Sequence, residues 1–356
     1  MTHDRLTVLR QGMAAQKWTA LLVVGFANVR YVSGFSGSNG AALIDHAGLY
    51  VATDGRYVEQ ARSESPAALI LEARDCPAAL LQNAHERGIT RIAADLRNFN
   101  YVAAQTLLET ARELHVEIVD AGEFFEIHRQ IKSESEIEAL TSACEITVRA
   151  WEQLLHEGVL GKSEIDLAGR LEHLFRIHGA ENRAFDSIVA TGPNSAIPHH
   201  QPTHRLVATG DFLKIDCGAR FAGYHADFTR TVVVGSAAEW QREIYAIVQE
   251  AQQAALDLVT AGADSQDVGE RGVAVVHERG FGEFLPHQIG HGVGLEIHER
   301  PFLGRHHGKL SAGMPITVEP GIYLPGRGGV RIEDTVLVSD PGYVLLTNAP
   351  RDLLEL

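Results

Sequence analysis

Cysteine is scarce, basic charge is in deficit, and long apolar runs are missing. The 356 residues include three cysteines, Cys76, Cys144 and Cys217. They are odd in number, far apart and in no C-x-x-C pair. A disulfide scaffold is excluded, and the three read as reduced thiols packed like small apolar side chains. The longest apolar run, ALLVVGFA from Ala20 to Ala27, is too short to span a bilayer. The N-terminal stretch MTHDRLTVLRQGMAAQ has no uninterrupted apolar core of the kind a signal peptide needs. A cytoplasmic chain without a membrane partner is the expectation. Lysine and arginine number 31 against 46 aspartates and glutamates, a formal charge of −15. Phosphate binding needs a basic surface, so this balance argues against nucleic acid. Internal repeats and low-complexity tracts are also lacking.

What is present describes a globular chain, 45% hydrophobic and 22% charged, long enough for two domains. Its 18 histidines invite a metal reading, but a count is not a site. The first 125 residues alternate between helix and strand. Leu6, Leu9 and Met13 mark one face of an opening helix. Leu21–Phe26 reads as a buried strand, and residues 41–53 as a hairpin turning at His46-Ala47-Gly48. Further on come a helix around Pro77–Arg87, a strand at Arg91–Ala94, a helix around Tyr101–Leu114 and a strand at Val116–Val119. The polar stretch IHRQIKSES at 127–135 then precedes a long helical pattern through Ile137, Leu140, Cys144 and Val148. This places a domain boundary at about residue 130, giving domains 1–130 and 131–356. In the second, Ser163 with Asp166 is a plausible cap for a helix to His178. Helical patterns follow at 239–261 and 265–280. Strand-like runs lie at 185–191, 211–217, 224–234, 314–318 and 330–338. The reading is an α/β domain followed by an α+β domain.

The second domain carries five candidate metal ligands: Asp216, Asp227, His291, Glu319 and Glu333. A turn through Phe221–Gly223 would fold Asp216 and Asp227 together. Glu319 ends MPITVE just before Pro320-Gly321, and Glu333 follows a tight connection rich in glycine. His291 lies between Gly290 and Gly292, where backbone can approach closely. Each residue alone has a bland reading. Asp216 can be a turn former, Glu319 a loop residue, Glu333 half of a same-face pair with Arg331, and His291 a solvated loop histidine. Four carboxylates and one imidazole exceed the needs of one catalytic zinc. They suit two divalent ions bridged by carboxylates, with oxygen-rich ligation favouring Mn²⁺ and leaving Co²⁺ or Zn²⁺ as alternatives.

With these residues the chain resembles the pita-bread metallopeptidases, which include aminopeptidase P, prolidase, creatinase and methionine aminopeptidase. The matching segments are PNSAIPHH (193–200), KIDCGA (214–219), HADFTRT (225–231), HQIGHGVGLEIHE (287–299), TVEPGIY (317–323) and GVRIEDT (329–335). YVSGFSGSNG (31–40) and TDGRY (53–57) resemble the N-terminal domain shared by aminopeptidase P, prolidase and creatinase. The implied fold is a creatinase/prolidase-type α/β domain followed by an α+β pita-bread catalytic domain. Gly34, Gly37 and Gly40 only mimic a phosphate loop, since no Gly-Lys-Ser/Thr follows.

The resemblance implies that Asp216 holds one metal, that His291 and Glu319 hold the other, and that Asp227 and Glu333 bridge them. It implies hydrolysis by a metal-activated water, with Glu319 also shuttling the proton. His199 and His298 match histidines that contact substrate at the reacting peptide bond, and His287 one that lines the proline side. Arg331, on the face of Glu333, would orient the ligand carboxylates. His200 is the alternative to His199. Thr229 and Thr231 share the face of Asp227 and can hydrogen-bond ligands. His204, His306 and His307 fall in no motif and read as surface residues.

A filled ligand set argues against creatinase, and methionine aminopeptidase normally lacks such an N-terminal domain. The remaining choice lies between an Xaa-Pro aminopeptidase and an Xaa-Pro dipeptidase. Prolidases of this size often carry an arginine shortly after the His-Glu pair. Here the stretch reads HERPFLGR, with Phe302 at the matching position and Arg300 and Arg305 nearby. This tilts the reading to the aminopeptidase, acting on peptides with proline in second position. A non-catalytic peptide-binding module is the third alternative. Relatives are commonly dimers, so the resemblance also implies a homo-oligomer, a dimer or higher.

Overall fold

In the computed structural model, which describes residues 2–305 and 308–356, the chain divides into two compact units, Met1–Arg129 and Gln130–Leu356. His306 and His307 lie outside the described residues. No helix among the described residues is long and apolar enough to cross a membrane.

The first unit is built on a six-stranded mixed sheet in the order Leu69–Glu72, Leu49–Thr53, Gly40–Asp45, Ala20–Val23, Arg91–Ala94, Glu117–Asp120. Leu22, Leu43, Leu80, Leu81 and Ile92 are wholly buried in its core, each contributing about 1.5–3 kcal/mol by leaving water. The hairpin turn is held by Asp45, whose Oδ1 accepts from the amides of Ala47 (2.7 Å) and Gly48 (2.8 Å).

The strand expected over Leu21–Phe26 stops at Val23, and Phe26 opens a helix to Ser33. Gly25 explains the break: it takes φ +82°, and a Cβ there would lie 2.7 Å from the Asn98 side chain. The glycines of YVSGFSGSNG have structural duties. Gly34 ends that helix in the left-handed region, and the Phe35 ring packs onto Gly37 and Gly40. The helices Val58–Glu64 and Phe124–Arg129 and the strand Leu69–Glu72 escape sequence reading. The strand lies at the sheet edge with Leu69 exposed, so it shows no buried alternation.

The second unit opens with the helix Glu134–His156, which has a capping box from Ser133 and Glu136. Next comes Glu164–Ile177, where the Ser163 side chain accepts from the Asp166 amide. The helices Glu239–Leu256 and Ser265–Glu278 follow. The first of these ends five residues before the expected 261. Val259 remains buried beyond it, so apolar spacing outlasts the helix.

Three strands, Phe228–Val233, Phe212–Cys217 and Ile188–Thr191, form an antiparallel sheet. Five more form a second sheet: Glu299–Phe302, His291–Gly292, Pro315–Val318, Asp334–Val338 and Tyr343–Leu345. Gly321–Leu324 and Gly328–Arg331 make a separate hairpin. Trp151, Phe175, Leu213 and Phe228 pack in one core cluster, and Phe212, Ile244, Val248 and Val330 in another. Two expected strands are interrupted. The run 224–234 splits into Tyr224–His225 and Phe228–Val233, and the run 330–338 breaks between Arg331 and Asp334. Asp227 and Glu333 occupy these breaks, where the backbone leaves the ladder and a side chain can leave the strict in-out alternation.

Candidate metal centre

Strand register assembles the centre. Thr229 pairs with Asp216 across two antiparallel strands, and an isolated bridge joins Thr229 to Glu333. Ala222 (φ 49°) and Gly223 (φ 87°) form the turn that folds Asp227 back beside Asp216. His291 arrives on the short strand His291–Gly292, and Glu319 follows directly on Pro315–Val318. A Cβ at Gly290 would lie 2.1 Å from the Thr317 carbonyl oxygen, and one at Gly292 2.2 Å from that of Arg300. Only glycine permits His291 to be delivered through so narrow a gap.

One cavity of about 390 Å³ is lined by all nine candidate residues: His199, Asp216, Asp227, His287, His291, His298, Glu319, Arg331 and Glu333. One oxygen or nitrogen each from Asp227, His291 and Glu333 lie within 4.8 Å of one another. The His291 Nε2 is 3.4 Å from Glu319 Oε1 and 3.6 Å from Asp227 Oδ2. Its Nδ1 lies 2.9 Å from the Gly292 carbonyl, which only accepts, so Nδ1 carries the proton and the Nε2 lone pair faces the carboxylates. Burial, with His298 adding, pushes the imidazole down to about 4, a neutral ligand at physiological pH.

The carboxylates are in the opposite condition. Burial, reinforced by Asp216 and Glu319, drives Asp227 well above the usual range. Burial followed by Asp227, Glu319 and Asp216 does the same to Glu333. Burial pushes Glu319 to about 8, with Arg331 opposing and Asp216 adding. Asp216 Oδ1 is buried without a hydrogen-bond partner among the described residues. Buried carboxylates that repel one another, an orphaned acceptor and a neutral imidazole are the donor set that divalent cations relieve. The residues therefore fit a metal centre, and the oxygen excess fits hard divalent ions.

Arg331 organises one side. It bonds Asp216 Oδ2 through Nη2, the Thr229 hydroxyl through Nε (3.1 Å) and the Tyr323 hydroxyl oxygen through Nη1 (2.7 Å). The Thr229 hydroxyl in turn donates to Glu333 Oε2 (2.6 Å). Thr231 accepts from the Arg331 amide and donates to the Arg331 carbonyl, so its role is to hold the arginine backbone. A second buried group lies behind Glu333. Arg230 donates to the Glu333 carbonyl (2.6 Å) and pairs with Asp334 (2.7 Å).

His287 lines the cavity with both ring nitrogens engaged. Nδ1–H donates to the Gln288 carbonyl (2.8 Å), and Nε2 accepts from the Tyr323 hydroxyl (2.8 Å). It is a wall, not a free donor. His199 and His298 instead face the cavity, and no hydrogen bond holds either ring among the described residues. The His298 ring meets His291 edge to face at 4.5 Å. His200 turns away and bonds buried Glu164 at 2.8 Å, which separates it from its neighbour. His204 is exposed.

Three residues escaped the sequence reading. Tyr323 links His287 to Arg331, and its place in TVEPGIY was the available signal. Lys214 is fully buried on the Asp216 strand, where its Nζ donates to the carbonyls of Ile197 (2.7 Å) and Pro198 (3.3 Å). Burial, with Arg331 nearby, holds it well below its usual value. Glu164, between the cap residue Ser163 and Asp166 at the start of a helix, went unremarked.

The model of metallopeptidase family M24 matches residues 138–340, and that of the creatinase/prolidase N-terminal domain matches residues 5–131. An Xaa-Pro dipeptidase of Pyrococcus furiosus is 37% identical over 356 residues, covering 99% of each chain. The solved structure of an Xaa-Pro dipeptidase from Bacillus anthracis is similar at TM-score 0.94 and 35% identity, covering 100% of both chains. That of an X-Pro aminopeptidase from Thermotoga maritima is similar at TM-score 0.92 and 33% identity, covering 99% of both.

Proposed function

The chain belongs to metallopeptidase family M24, and from that membership we propose that it is an Xaa-Pro dipeptidase, hydrolysing the bond that joins a single residue to proline. The convergence of five metal-ligand candidates with two unengaged histidines on one cavity carries the hydrolase reading. Relatives named Xaa-Pro dipeptidase, matched over nearly the whole chain, favour this choice over the aminopeptidase to which HERPFLGR alone tilts.

In this reading Asp216, Asp227, His291, Glu319 and Glu333 would hold two divalent ions, with Mn²⁺ the ion their oxygens suit. When bound, such ions supply Lewis acidity that acidifies a water and polarises the scissile carbonyl. His298, kept neutral by burial, and His199 present ring N–H groups where negative charge develops on the carbonyl oxygen. Glu319, at the cavity wall beside His291, would carry the proton from the attacking water to the proline nitrogen. Arg331 and Thr229 hold Asp216 and Glu333 in place. The Tyr323–His287 pair walls the proline side. The three cysteines are buried and unpaired, which suits the reducing cytoplasm. A homo-oligomer completes the proposal.

The aminopeptidase remains the second reading, and one observation favours it. Among the described residues, Arg331 is the only arginine or lysine lining the cavity, and it is already engaged by Asp216 and Tyr323. The carboxylate of a free dipeptide therefore meets no second such cation there. Ala-Pro and Ala-Pro-Ala assayed side by side with Mn²⁺ separate the two. Hydrolysis of the dipeptide alone is expected, and turnover of the tripeptide transfers the assignment to the aminopeptidase. Chelation should abolish activity and added Mn²⁺ restore it; a protein that stays inactive on both peptides after Mn²⁺ is added is not this enzyme.

A further inference from the structure

We propose that Glu164 is a positioning residue of the reaction, acting through His199 by fixing the segment Gly192–Thr203. This rests on the assignment of His199 to the reacting peptide bond. The His199 ring has no hydrogen-bond partner among the described residues, so its place in the cavity depends on its backbone. That backbone is gripped from two sides, by a buried carboxylate on one and by buried Lys214 and Arg331 donors on the other.

Glu164 is wholly buried at the first turn of the helix Glu164–Ile177, where the helix N-terminus favours a negative charge. Its Oε1 accepts from the Thr191 amide (2.7 Å) and Asn194 Nδ2 (2.9 Å). Its Oε2 accepts from His200 Nε2 (2.8 Å), the Thr203 amide (2.9 Å) and the Thr203 hydroxyl (2.6 Å). The donors come from both ends of the segment and from the residue next to His199. On the other side, Lys214 Nζ takes the carbonyls of Ile197 and Pro198, and Arg331 Nη1 reaches the Pro198 carbonyl at 3.4 Å. The segment thus gives its donors to one buried carboxylate and its acceptors to the buried Lys214 and Arg331 nitrogens. Ser195 adds a cross-tie, its hydroxyl donating to the Gly192 carbonyl (2.6 Å) and accepting from the Gly329 amide (2.9 Å).

Glutamine at position 164 keeps the shape but turns one acceptor into a donor. Whichever way the amide lies, it faces a backbone N–H, of Thr191 or of Thr203, that cannot reverse its role. The segment must shift, and a shift of about 1 Å in a positioned group is enough to lower a rate about 100-fold. A residue that acts through His199 has nothing to act through once that ring is gone, whereas one needed only for general stability costs the same in either background.

The test is a double-mutant cycle read in kcat and KM. Glu164→Gln is expected to lower kcat about 100-fold with KM and bound metal unchanged. It should also speed hydrogen exchange of the 192–203 amides. In the His199→Ala background the same substitution should change kcat by less than about twofold. Equal losses in both backgrounds overturn the positioning role while leaving the assignment of His199 intact. A His199→Ala enzyme as active as the wild type overturns that assignment, and the inference with it. Thr203→Val removes the hydroxyl that donates to Glu164 and accepts from the Arg205 amide (3.2 Å), and repeats the cycle if Glu164→Gln does not fold, with a loss of about tenfold expected to vanish in the same way.

Discussion

Two segments deliver an imidazole to the cavity, and they are held by different physics. His199 sits beside His200, which bonds Glu164, and His298 sits beside Glu299, which pairs with Lys132. In both, the residue that faces the cavity is unsupported by hydrogen bonds, and the next residue in sequence is tied into the protein. The anchors differ in kind. Glu164 is one negative charge surrounded by several donors from side chains and backbone. Glu299 belongs to a buried ion pair, with Lys132 Nζ at 2.9 Å and both side chains at most 5% exposed. A network of many donors distributes its support and degrades gradually, whereas a buried ion pair that loses one member leaves the other charge without that offset.

The two segments meet at the carboxylate centre, so the largest expected effect comes from removing what both face. Glu333→Ala deletes a proposed metal ligand together with the acceptor of the Thr229 hydroxyl. Activity should fall about a thousandfold or more with peptide substrates, and a turnover near that of the wild type refutes the dinuclear assignment.

Next comes the His298 side. Lys132→Met deletes one member of this buried ion pair and should destabilise the protein by about 3–5 kcal/mol in chemical denaturation. Pairing it with Glu299→Gln should recover much of that loss, because the charge that Lys132 offsets is gone as well. A single substitution that shifts the denaturation midpoint by no more than a surface change erases the contrast between the two anchors.

The His199 side predicts a pH effect of smaller size. Burial raises the Glu164 carboxyl, but the donors of Thr203, Asn194, His200 and Thr191 outweigh it and hold the group below the ordinary 4.5. A depressed carboxyl contributes stability that is fully present above its unfolded value and is lost as pH falls through the folded one. The stability gap between the wild type and Glu164→Gln should therefore be constant near neutrality and narrow below pH about 4.5. A gap that widens in acid contradicts the sign. The smallest effect is at His204, near the same segment but exposed, where His204→Ala should change stability by no more than about 0.5 kcal/mol and leave kcat unaltered.

How much of this was legible in the sequence depended on how local each cause is. The helix beginning after Ser163 follows from a cap and a spacing that involve neighbours only, and it begins where that cap puts it. The strand expected over Leu21–Phe26 stops at Val23, and Gly25 after it takes φ +82°, where the nearby Asn98 leaves room for no side chain. The order and flanks of the five ligand candidates, read together and with the family motifs they fall in, singled them out where each alone did not. Their support was less visible. Glu164 looks like an ordinary acidic residue at a helix start, and Lys214 like a solvent-facing lysine in FLKID, until folding closes the protein over them. His287 could be picked out by motif, but that both its nitrogens are occupied follows only from where Tyr323 lies.

The sequence by itself determined the type of chemistry: a set of oxygen-rich ligands, spaced on strands and turns, that repel one another unless a cation joins them. Only the tertiary structure decided which histidines are free to meet a substrate. Ligand identity is written in residue types, but a ring's freedom depends on every hydrogen bond its neighbours make. Those bonds join Glu164 to Thr203, Lys214 to Ile197 and Lys132 to Glu299, partners brought together only when the chain folds.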